Sequence, residues 1–468
     1  MIERTDVVVV GAGIAGCMSA ATIALRGKGK VGVALLDRNP PTDVGKKNTL
    51  GWVCGDAVGE HHIKYVHDRV GVTYGLPEME NHVSAVYVYS PDMKVRVPFE
   101  GPGFVLDRPK FGKRILEDAL KAGVDYVGNA QAIGLIAESG RIVGLKGQTN
   151  ETGVNQPFEI RTNLVIDASG MSTKLRRDLP IQSFIEKEID KDDIEPTARI
   201  NARLADGVEV ETSHCDIYLD QEKAPGGYLW LFPKAEDKVN IGLGIQQKRS
   251  HKPLNALLKD WVATDPRFKN IQPLSDDSNL SGAWPVSVRH QNDCLVANGY
   301  MVCGDAAWFP NPISAGGIGP GLIGGVMAGE AAVRAIESND FSERQLWQYN
   351  LDFVNHYGNK TAGLEAFRLY LQTLSNKEIN YGMRHFLSAS EATDISLGEM
   401  PELSPTQKLM KLFRGLGSYR AFKGLLMTMD RMKRLNQLYK EYPKDPSEFA
   451  DWKRQVDGLL NDVRAHYR

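Results

Sequence analysis

The chain lacks several features that would assign its class at once. Its 468 residues include five cysteines, an odd number with no C-x-x-C pair, so neither a disulfide framework nor a structural zinc site is indicated. The formal net charge is only −2, which gives no general attraction to nucleic acid. The first residues do not follow the order of a secretory signal. We therefore expect a cytoplasmic protein in a reducing setting, without a nucleic-acid partner.

Hydrophobic runs of the membrane-spanning kind are scarce as well. Two long runs without charge, residues 7–25 and 306–329, are rich in glycine, alanine and serine rather than leucine, isoleucine and phenylalanine. Their transfer into lipid would be unfavourable for a spanning helix, so we predict no transmembrane segment there. What the chain has in excess is glycine, with 46 residues, and much of it falls in these two runs.

The first run predicts a strand, a glycine turn and a helix. A β-branched segment, residues 5–10, leads into Gly11-Ala12-Gly13-Ile14-Ala15-Gly16. In such a G-x-G-x-x-G turn the first glycine permits the tight bend, the second lets a diphosphate approach the backbone, and the third lets helix and strand pack closely. A second predicted strand, residues 31–36, ends at Asp37, placed to accept hydrogen bonds from an adenosine ribose. This pattern predicts dinucleotide binding.

The second run favours FAD over NAD. A predicted strand at residues 300–303 is followed by Asp305, then by Gly316, Gly317 and Ile318 at the start of a helix rich in small residues. Such a carboxylate can bind a ribityl hydroxyl, while free N–H groups lie under the edge of a flavin ring. The alternative is that Asp305 caps a helix. Residues 319–324 also match G-x-G-x-x-G, but no strand precedes them, so a dedicated NADPH domain is not expected.

These anchors predict an α/β fold: a Rossmann-like FAD-binding domain, an inserted antiparallel β-sheet domain for substrate, and a helical C-terminal region. Alternating apolar and polar residues predict sheet strands at residues 83–89, 94–99, 215–219, 228–232 and 239–245. The acidic stretch 186–195 is expected to be an exposed connection. The predicted domains are residues 1–65, 107–182 and 294–345 for FAD, 66–106 and 183–293 for substrate, and 346–468 for the helical region.

Several motifs together resemble one known family. They are the GAGIAG turn, Asp37, the CGDAV loop at residues 54–58, Arg108, and PGGYLWLFP at residues 225–233, which is similar to a PxxYxWxFP signature. The chain resembles the archaeal geranylgeranyl reductase family, which includes digeranylgeranylglycerophospholipid reductases and belongs to flavoproteins of the p-hydroxybenzoate hydroxylase fold. The resemblance implies FAD-dependent saturation of the C=C bonds of geranylgeranyl chains, in precursors of archaeal membrane glycerophospholipids.

The resemblance also implies roles for residues near the cofactor. Cys54, Gly55 and Ala57 would lie beside the flavin, and the Cys54 thiol would either donate a proton or pack against the ring. Arg108 would contact the cofactor diphosphate, its alternative being a surface ion pair. Ala132 would make a backbone contact near the adenine.

Three aromatic residues are candidates for binding the prenyl chain. Tyr228, Trp230 and Phe232 alternate along one predicted strand, so their side chains share a face and could stabilise positive charge on a protonated alkene. The alternative is an ordinary aromatic sheet core. His62 is expected to line the same channel. His61, His62 and His67 lack further ligands at suitable spacing, so we predict no metal site.

The stretch 406–440 is basic and amphipathic, with nine lysines and arginines against one acid, Asp430. One hypothesis is peripheral contact with an anionic membrane at its inner face. The other is a helical bundle whose apolar face closes the substrate tunnel.

The sequence therefore predicts an FAD-dependent geranylgeranyl reductase, an oxidoreductase acting on CH–CH bonds. Its electron donor stays open between NADPH, ferredoxin and another reductant. Two alternatives remain: an aromatic-ring flavin monooxygenase of the same fold, and a flavin- or lipid-binding protein without turnover.

Overall fold

The computed structural model describes residues 2–41, 54–150, 154–172, 174–274, 281–386, 388, 390, 391, 394 and 416–467. The strands, numbered β1 to β18 in chain order, are Val7–Val10, Val33–Leu36, Ala57–Gly59, Met79–Tyr89, Arg96–Leu106, Asp125–Val127, Ala130–Glu138, Arg141–Thr149, Gln156–Arg161, Leu164–Asp167, Ile194–Arg203, His214–Tyr218, Tyr228–Pro233, Lys238–Gly244, Gln272–Pro273, Ser281–Ser287, Val296–Ala297 and Tyr300–Val302. The helices, numbered α1 to α11, are Ile14–Arg26, Glu60–Val70, Arg108–Lys121, Lys174–Arg177, Leu254–Thr264, Ile318–Ser338, Glu343–His356, Thr361–Leu371, Asn376–His385, Tyr419–Lys440 and Phe449–Tyr467.

The first sheet has six strands in the order β17-β18-β10-β1-β2-β6. β18, β10, β1, β2 and β6 are parallel, and β17 is antiparallel to β18. The four valines of β1 are buried, as expected of a parallel strand covered on both faces. Helix α1 connects β1 to β2, so the carboxyl ends of both strands meet at one edge of the sheet. The glycine turn lies at that edge.

The second sheet has nine strands and is mainly antiparallel, although β12 pairs with β4 in parallel. Its central strand β13 carries the aromatic signature between β12 and β14. Gly242 of β14 lies opposite Trp230, and a side chain there would overlap the indole ring. Strands β7, β8 and β9 form a third, separate sheet in that order. The predicted α/β class, with an antiparallel sheet and a helical C-terminal region, is confirmed.

All six strands of the parallel sheet fall within the ranges predicted for the FAD-binding domain. One strand from those ranges, β3, lies instead at the edge of the nine-stranded sheet, where it pairs with β5. The chain therefore belongs to the first sheet at β2 and to the nine-stranded sheet at β3. The domain boundaries themselves stay a prediction.

The C-terminal helices pack around α8, most of whose residues are buried. Helix α9 begins with a capping box between Ser375 and Glu378. Helix α10 buries one apolar face, which includes Phe422, Leu425 and Met432. Among the residues that the structure describes, no helix is both long and apolar enough to cross a membrane.

The prediction of an exposed connection at residues 186–195 holds for Lys187, Glu188, Asp190 and Lys191 but is wrong at two acidic positions near its end. Asp193 is fully buried and Glu195 is 7% exposed. Arg368 donates to Asp193 at 2.6 Å, and Gln372 donates to Glu195 at 2.5 Å. The local sequence resembles a solvated acidic loop because these partners lie on α8 and just after it, about 175 residues further along.

Candidate functional site

A cavity of about 1080 Å³ lies where the two large sheets meet the C-terminal helices. Of the residues predicted to bind cofactor or substrate, Gly16 and Ala132 are the two that the described lining does not include; Gly16 lies inside α1 and Ala132 on β7. The others are Gly11, Gly13, Ala15, Asp37, Cys54, Gly55, Ala57, His62, Arg108, Tyr228, Trp230, Phe232, Asp305, Gly316, Gly317 and Ile318. The structure thus brings together residues that are up to about 300 positions apart in the sequence. Their roles stay predictions.

The glycine turn forms one end of the cavity. Gly11 has φ +102°, and a side chain there would overlap the carbonyl oxygen of Ala168. A side chain at Gly16 would overlap the carbonyl oxygen of Gly11, so this glycine lets α1 pack against the turn. At Gly13, a Cβ would meet no described atom within 4 Å. Gly13 also precedes the first turn of α1, so the open space lies at a helix N-terminus, which favours anions.

Asp37 is fixed by the turn that it faces. Its Oδ2 accepts a hydrogen bond from the backbone N–H of Ala12 at 2.7 Å, and its Oδ1 accepts one from Asn39 at 2.9 Å. Burial raises the pKa of this carboxyl above its usual value. A carboxylate oxygen has two acceptor positions, so these contacts leave Asp37 able to accept hydrogen bonds from a ligand in the cavity.

Asp305 and Arg108 are two charged residues that line the cavity. Asp305 lies three residues after the end of β18, next to Gly317 of the loop before α6. Burial raises the pKa of Asp305 to about 6, and the positive charge of Arg108 opposes this increase. Arg108 is 6% exposed, so the alternative of a surface ion pair does not fit. Gly317 precedes α6 without a side-chain cap within the described residues, which does not support the capping alternative for Asp305.

The loop of residues 54–57 carries Cys54 into the cavity wall. The backbone N–H of Asp56 donates to the Cys54 sulfur at 3.3 Å. Burial and the nearby Asp56 carboxylate raise the pKa of the thiol, so Cys54 is neutral near pH 7. Gly55 lies against the signature strand, because a Cβ there would be 2.8 Å from the Phe232 ring. The loop and the aromatic strand therefore form one continuous wall.

Beneath this loop lies a buried polar cluster that no sequence motif indicated. The Asp56 carboxylate, 1% exposed, accepts hydrogen bonds from Arg199 at 2.8 Å, Asn240 at 2.8 Å and Lys234 at 3.3 Å. These three residues lie on β11, β14 and just after β13. Their positions along the chain carry no motif, so only the folded sheet shows that they meet.

The three signature aromatics do share a face of β13. The ring centroids of Tyr228 and Trp230 are 6.2 Å apart, and those of Trp230 and Phe232 are 6.3 Å apart. Tyr228 donates its hydroxyl to the carbonyl of Ser314 at 2.5 Å, which joins the strand to the loop before α6. Trp230 and Phe232 are 5% and 8% exposed, so both sequence interpretations describe part of their setting: they line the cavity and also pack in the sheet core.

His62 lines the cavity beside the start of α6. Its ring packs so closely on Gly319 that a side chain there would overlap it. Burial and the neighbouring His61 lower the pKa of His62 to about 3, so the ring is neutral. The His61 and His62 rings lie 3.8 Å apart, while His67 is near the hydroxyl of Thr73 at 3.2 Å, in an exposed position.

Three other residues in the described part of the chain have a spacing that could hold a metal ion. They are Glu186, His290 and Asp293, whose possible ligand atoms lie within 4.8 Å of one another. Arg289 already pairs with Glu186 at 3.0 Å, and Lys453 with Asp293 at 3.0 Å. Protein cations therefore balance these carboxylates, so the group forms an ion-pair network.

The C-terminal helices supply an apolar wall that the sequence analysis did not assign residue by residue. Its members come from α8, α9 and α10 and the segments that follow α8 and α9, and they are Phe367, Tyr370, Leu371, Leu374, Ile379, Met383, Phe386 and Leu425. The hypothesis that the apolar face of residues 406–440 closes the tunnel agrees with the position of Leu425, whereas helical periodicity alone did not assign residues of α8 or α9 to this wall.

The fold is one that flavin-dependent enzymes share. The myxobacterial chondrochloren halogenase, an FAD-dependent halogenase, superposes with a TM-score of 0.65 at 15% identity, covering 93% of this chain and 97% of the halogenase. A geranylgeranyl bacteriochlorophyll reductase-like protein from Thermoplasma acidophilum superposes with a TM-score of 0.74 at 25% identity, covering 92% of this chain and all of that one. These likenesses define the class as a flavoprotein fold with an added sheet.

Sequence comparison narrows this class to a family. A model of the geranylgeranyl reductase catalytic domain matches residues 193–276. The digeranylgeranylglycerophospholipid reductase of Sulfolobus acidocaldarius is 33% identical over 98% of both chains. Digeranylgeranylglycerophospholipid reductase 1 of Methanococcoides burtonii is 30% identical over 81% of this chain and 87% of its own. The chain belongs to the digeranylgeranylglycerophospholipid reductase family, which confirms the resemblance drawn from its motifs.

Proposed function

We propose that this protein is an FAD-dependent reductase that saturates the C=C bonds of geranylgeranyl chains in precursors of archaeal membrane glycerophospholipids. The observation that carries the proposal is the continuity of the cavity. One space reaches from the glycine turn, past Cys54 and the aromatic strand, to the apolar wall of the C-terminal helices. Cofactor and a long apolar substrate would therefore occupy connected parts of it.

The residues at the glycine turn fit FAD. The open space over Gly13 at the N-terminus of α1 suits the diphosphate, and the buried Arg108 adds positive charge to the same cavity wall. Asp37 would accept hydrogen bonds from the adenosine ribose, and Asp305 from the ribityl hydroxyls. When bound, FAD supplies the hydride-transfer chemistry that protein side chains cannot perform.

The protein itself would contribute two things to the reaction: an apolar channel that excludes water, and a thiol that keeps its proton near neutral pH. The aromatic rings of β13 and the helix residues exclude water from the alkene and offer π faces to developing positive charge. The neutral Cys54 thiol keeps its proton at Sγ on the cavity wall near pH 7. We assign Cys54 as the first candidate for the proton donor to the alkene carbon.

The electrons would come from a separate reductant such as NADPH or ferredoxin. Residues 319–324, the second G-x-G-x-x-G match, lie inside α6 and follow a loop. They therefore lack the strand-turn-helix setting of a second dinucleotide site.

We further propose a cytoplasmic protein that meets its lipid at the inner face of the membrane, through the exposed basic face of α10.

The test is direct reduction of a geranylgeranyl lipid. The purified protein is examined for flavin absorbance, reduced with dithionite and mixed with digeranylgeranylglycerophospholipid, and the product is followed by mass spectrometry. We expect mass gains in steps of two hydrogens, with flavin reoxidation. Flavin that stays reduced, or oxygen-dependent hydroxylation of a phenol instead, would contradict the proposal.

The role of Cys54 has its own matched comparison. Cys54→Ala should lower the rate of alkene reduction at least about a hundredfold, the lower end of the contribution that a proton-transfer group makes. Cys294→Ala is the control, because Cys294 is fully buried and does not line the cavity among its described residues. Equal rates for the two variants would leave Cys54 as a packing residue.

A further inference from the structure

One buried side chain connects the Cys54 loop to the aromatic strand. Asn240 of β14 is fully buried. Its Nδ2 donates to the carbonyl oxygen of Cys54 at 2.8 Å and to Oδ2 of Asp56 at 2.8 Å. Its Oδ1 accepts a hydrogen bond from the indole N–H of Trp230 at 2.9 Å. Both hydrogens of the amide and its oxygen are therefore used, and each bond reaches the wall of the cavity.

The loop that Asn240 holds is in a conformation that needs support. Asp56 has φ +66°, in the left-handed region that non-glycine residues seldom adopt. Besides Asn240, the loop is fixed by Arg199 on the Asp56 carboxylate and by the backbone N–H of Leu106, which donates to the Asp56 carbonyl at 2.9 Å. Asn240 is distinct among these contacts because it alone also bonds to both Cys54 and Trp230 in the described structure.

We propose that Asn240 is a positioning residue that fixes the Cys54 thiol and the Trp230 indole relative to each other across the cavity wall. This inference rests on the proposed function, which places the thiol and the indole at the substrate. The geometry requires an amide, because the same side chain must donate twice and accept once. Aspartate at this position could accept from Trp230 but could not donate to Cys54, and it would bring a second carboxyl group next to Asp56.

The test uses the reactivity of the Cys54 thiol. The other four cysteines, Cys17, Cys215, Cys294 and Cys303, are buried, whereas Cys54 is half-buried, so alkylation by iodoacetamide under native conditions reports on Cys54. Asn240→Leu frees the loop and should raise the alkylation rate about tenfold. Asn240→Asp places negative charge beside the loop and should move the pH midpoint of alkylation upward. Mass mapping of the alkylated peptide verifies the site.

Asn201→Leu is the matched control. Asn201 pairs directly with Asn240 in the β11–β14 ladder and is also buried, but the cavity wall does not include it among its described residues. We expect Asn201→Leu to keep the alkylation rate of Cys54, and the pH midpoint of that alkylation, at the values of the native protein. Folded Asn240 variants with that same profile would overturn the proposal. Asn240→Asp, equal in size to the native residue, carries the test should Asn240→Leu fail to fold.

The kinetic readout separates this inference from the proposed function. With the geranylgeranyl lipid, Asn240→Asp should lower kcat about tenfold and leave KM within about twofold, since the apolar walls are intact. A protein with no reductase activity would contradict the proposed function, yet its thiol profile would still test Asn240. An active protein whose Asn240 variants keep both kcat and thiol profile would contradict only the positioning role.

Discussion

At the scale of single residues, the glycines of the glycine turn differ in what requires them. Gly16 is required by the protein itself, because a side chain there would overlap the carbonyl of Gly11. Gly13 faces open space, so packing of the described residues does not require its lack of a side chain, and its proposed role is to leave room for the diphosphate. Stability and cofactor binding should therefore respond to different substitutions within four positions of chain.

We expect Gly13→Ala to change the free energy of unfolding of the cofactor-free protein by less than about 1 kcal/mol, the cost of alanine at a helix N-cap. It should weaken FAD binding at least about tenfold, because the added methyl group occupies the space over the helix terminus. Gly16→Ala should instead lower stability by about 1–3 kcal/mol through overpacking. Urea unfolding and fluorescence titration with FAD measure the two effects.

Gly458→Ala, in α11, is the control for helical glycine. A Cβ there meets no described atom within 4 Å, so this variant should be slightly more stable and bind FAD normally. Unaltered FAD affinity in Gly13→Ala would show that the diphosphate does not lie over this turn.

Glu195 provides a pH-dependent test of residue burial. Burial raises its pKa to about 7, well above the value of an exposed glutamate. Below the unfolded-state pKa the carboxyl is protonated in both states. As pH rises toward 7, ionisation favours the unfolded chain, so stability falls by roughly 3 kcal/mol over that window. Glu195→Gln lacks this ionisation, so its stability relative to the native protein should improve from pH 4.5 to pH 8.

The measurement is urea unfolding of both proteins across that range. Glu188→Gln is the control, because Glu188 is exposed in the same stretch of chain and should follow the native pH curve. Parallel curves for Glu195→Gln and the native protein would mean that Glu195 is ionised in the folded state at acidic pH.

Local motifs predicted most of the residues that line the glycine-turn end of the cavity, but few of the residues that support its wall. Gly11, Gly13 and Asp37 were recognisable because the turn, helix and acid lie within 30 positions of chain and obey a fixed spacing. Arg199, Lys234 and Asn240 meet Asp56 only through the register of the nine-stranded sheet. No spacing rule relates residues that become neighbours by antiparallel pairing of distant strands, so sequence alone could not find them.

At the scale of elements, α10 shows why one amphipathic pattern allowed two interpretations. Its apolar face is buried against other helices, and Leu425 reaches the cavity, which favours the bundle interpretation for that face. The opposite face carries the exposed lysines 423, 433 and 440, with Tyr419 and Leu426 exposed at 64% and 50%. Residues 406–415 of the predicted membrane-contact stretch lie outside the described residues.

We expect the exposed face of α10 to bind anionic lipid. Each lysine near such a surface contributes on the order of 1 kcal/mol, so reversing Lys423, Lys433 and Lys440 to glutamate should weaken binding at least about a hundredfold. Sedimentation with phosphatidylglycerol vesicles at low salt measures it. The control reverses Lys28, Lys30 and Lys121, which are exposed elsewhere. Equal losses in both triple variants would indicate a general charge effect and contradict a specific α10 surface.

At the scale of the whole molecule, one buried ion network ties the sheets to the C-terminal helices. Glu365 of α8 is fully buried and accepts hydrogen bonds from His290 at 2.5 Å and from Arg464 of α11 at 2.7 Å. Burial and Arg289 lower the pKa of His290, but Asp293 and Glu365 raise it more, so the net shift is upward. Lys453, also on α11, pairs with Asp293. The last helix thus supplies cations to carboxylates from two distant parts of the chain.

This network predicts that α11 stabilises the cavity wall from a distance. Arg464→Leu removes one cation from Glu365, whose carboxylate keeps His290 at 2.5 Å, so we expect a loss of about 1.5–3 kcal/mol, the contribution of hydrogen bonds to a charged group. Arg454→Leu, on the same helix, is the control, since Arg454 and its partner Asp451 are each 78% exposed and such pairs contribute little. Urea unfolding should show a lower midpoint for Arg464→Leu alone. Residues of α8 also line the cavity, so Arg464→Leu should weaken the binding of geranylgeranyl lipid more than the binding of FAD. Equal losses of affinity for both ligands would contradict a network that acts through α8.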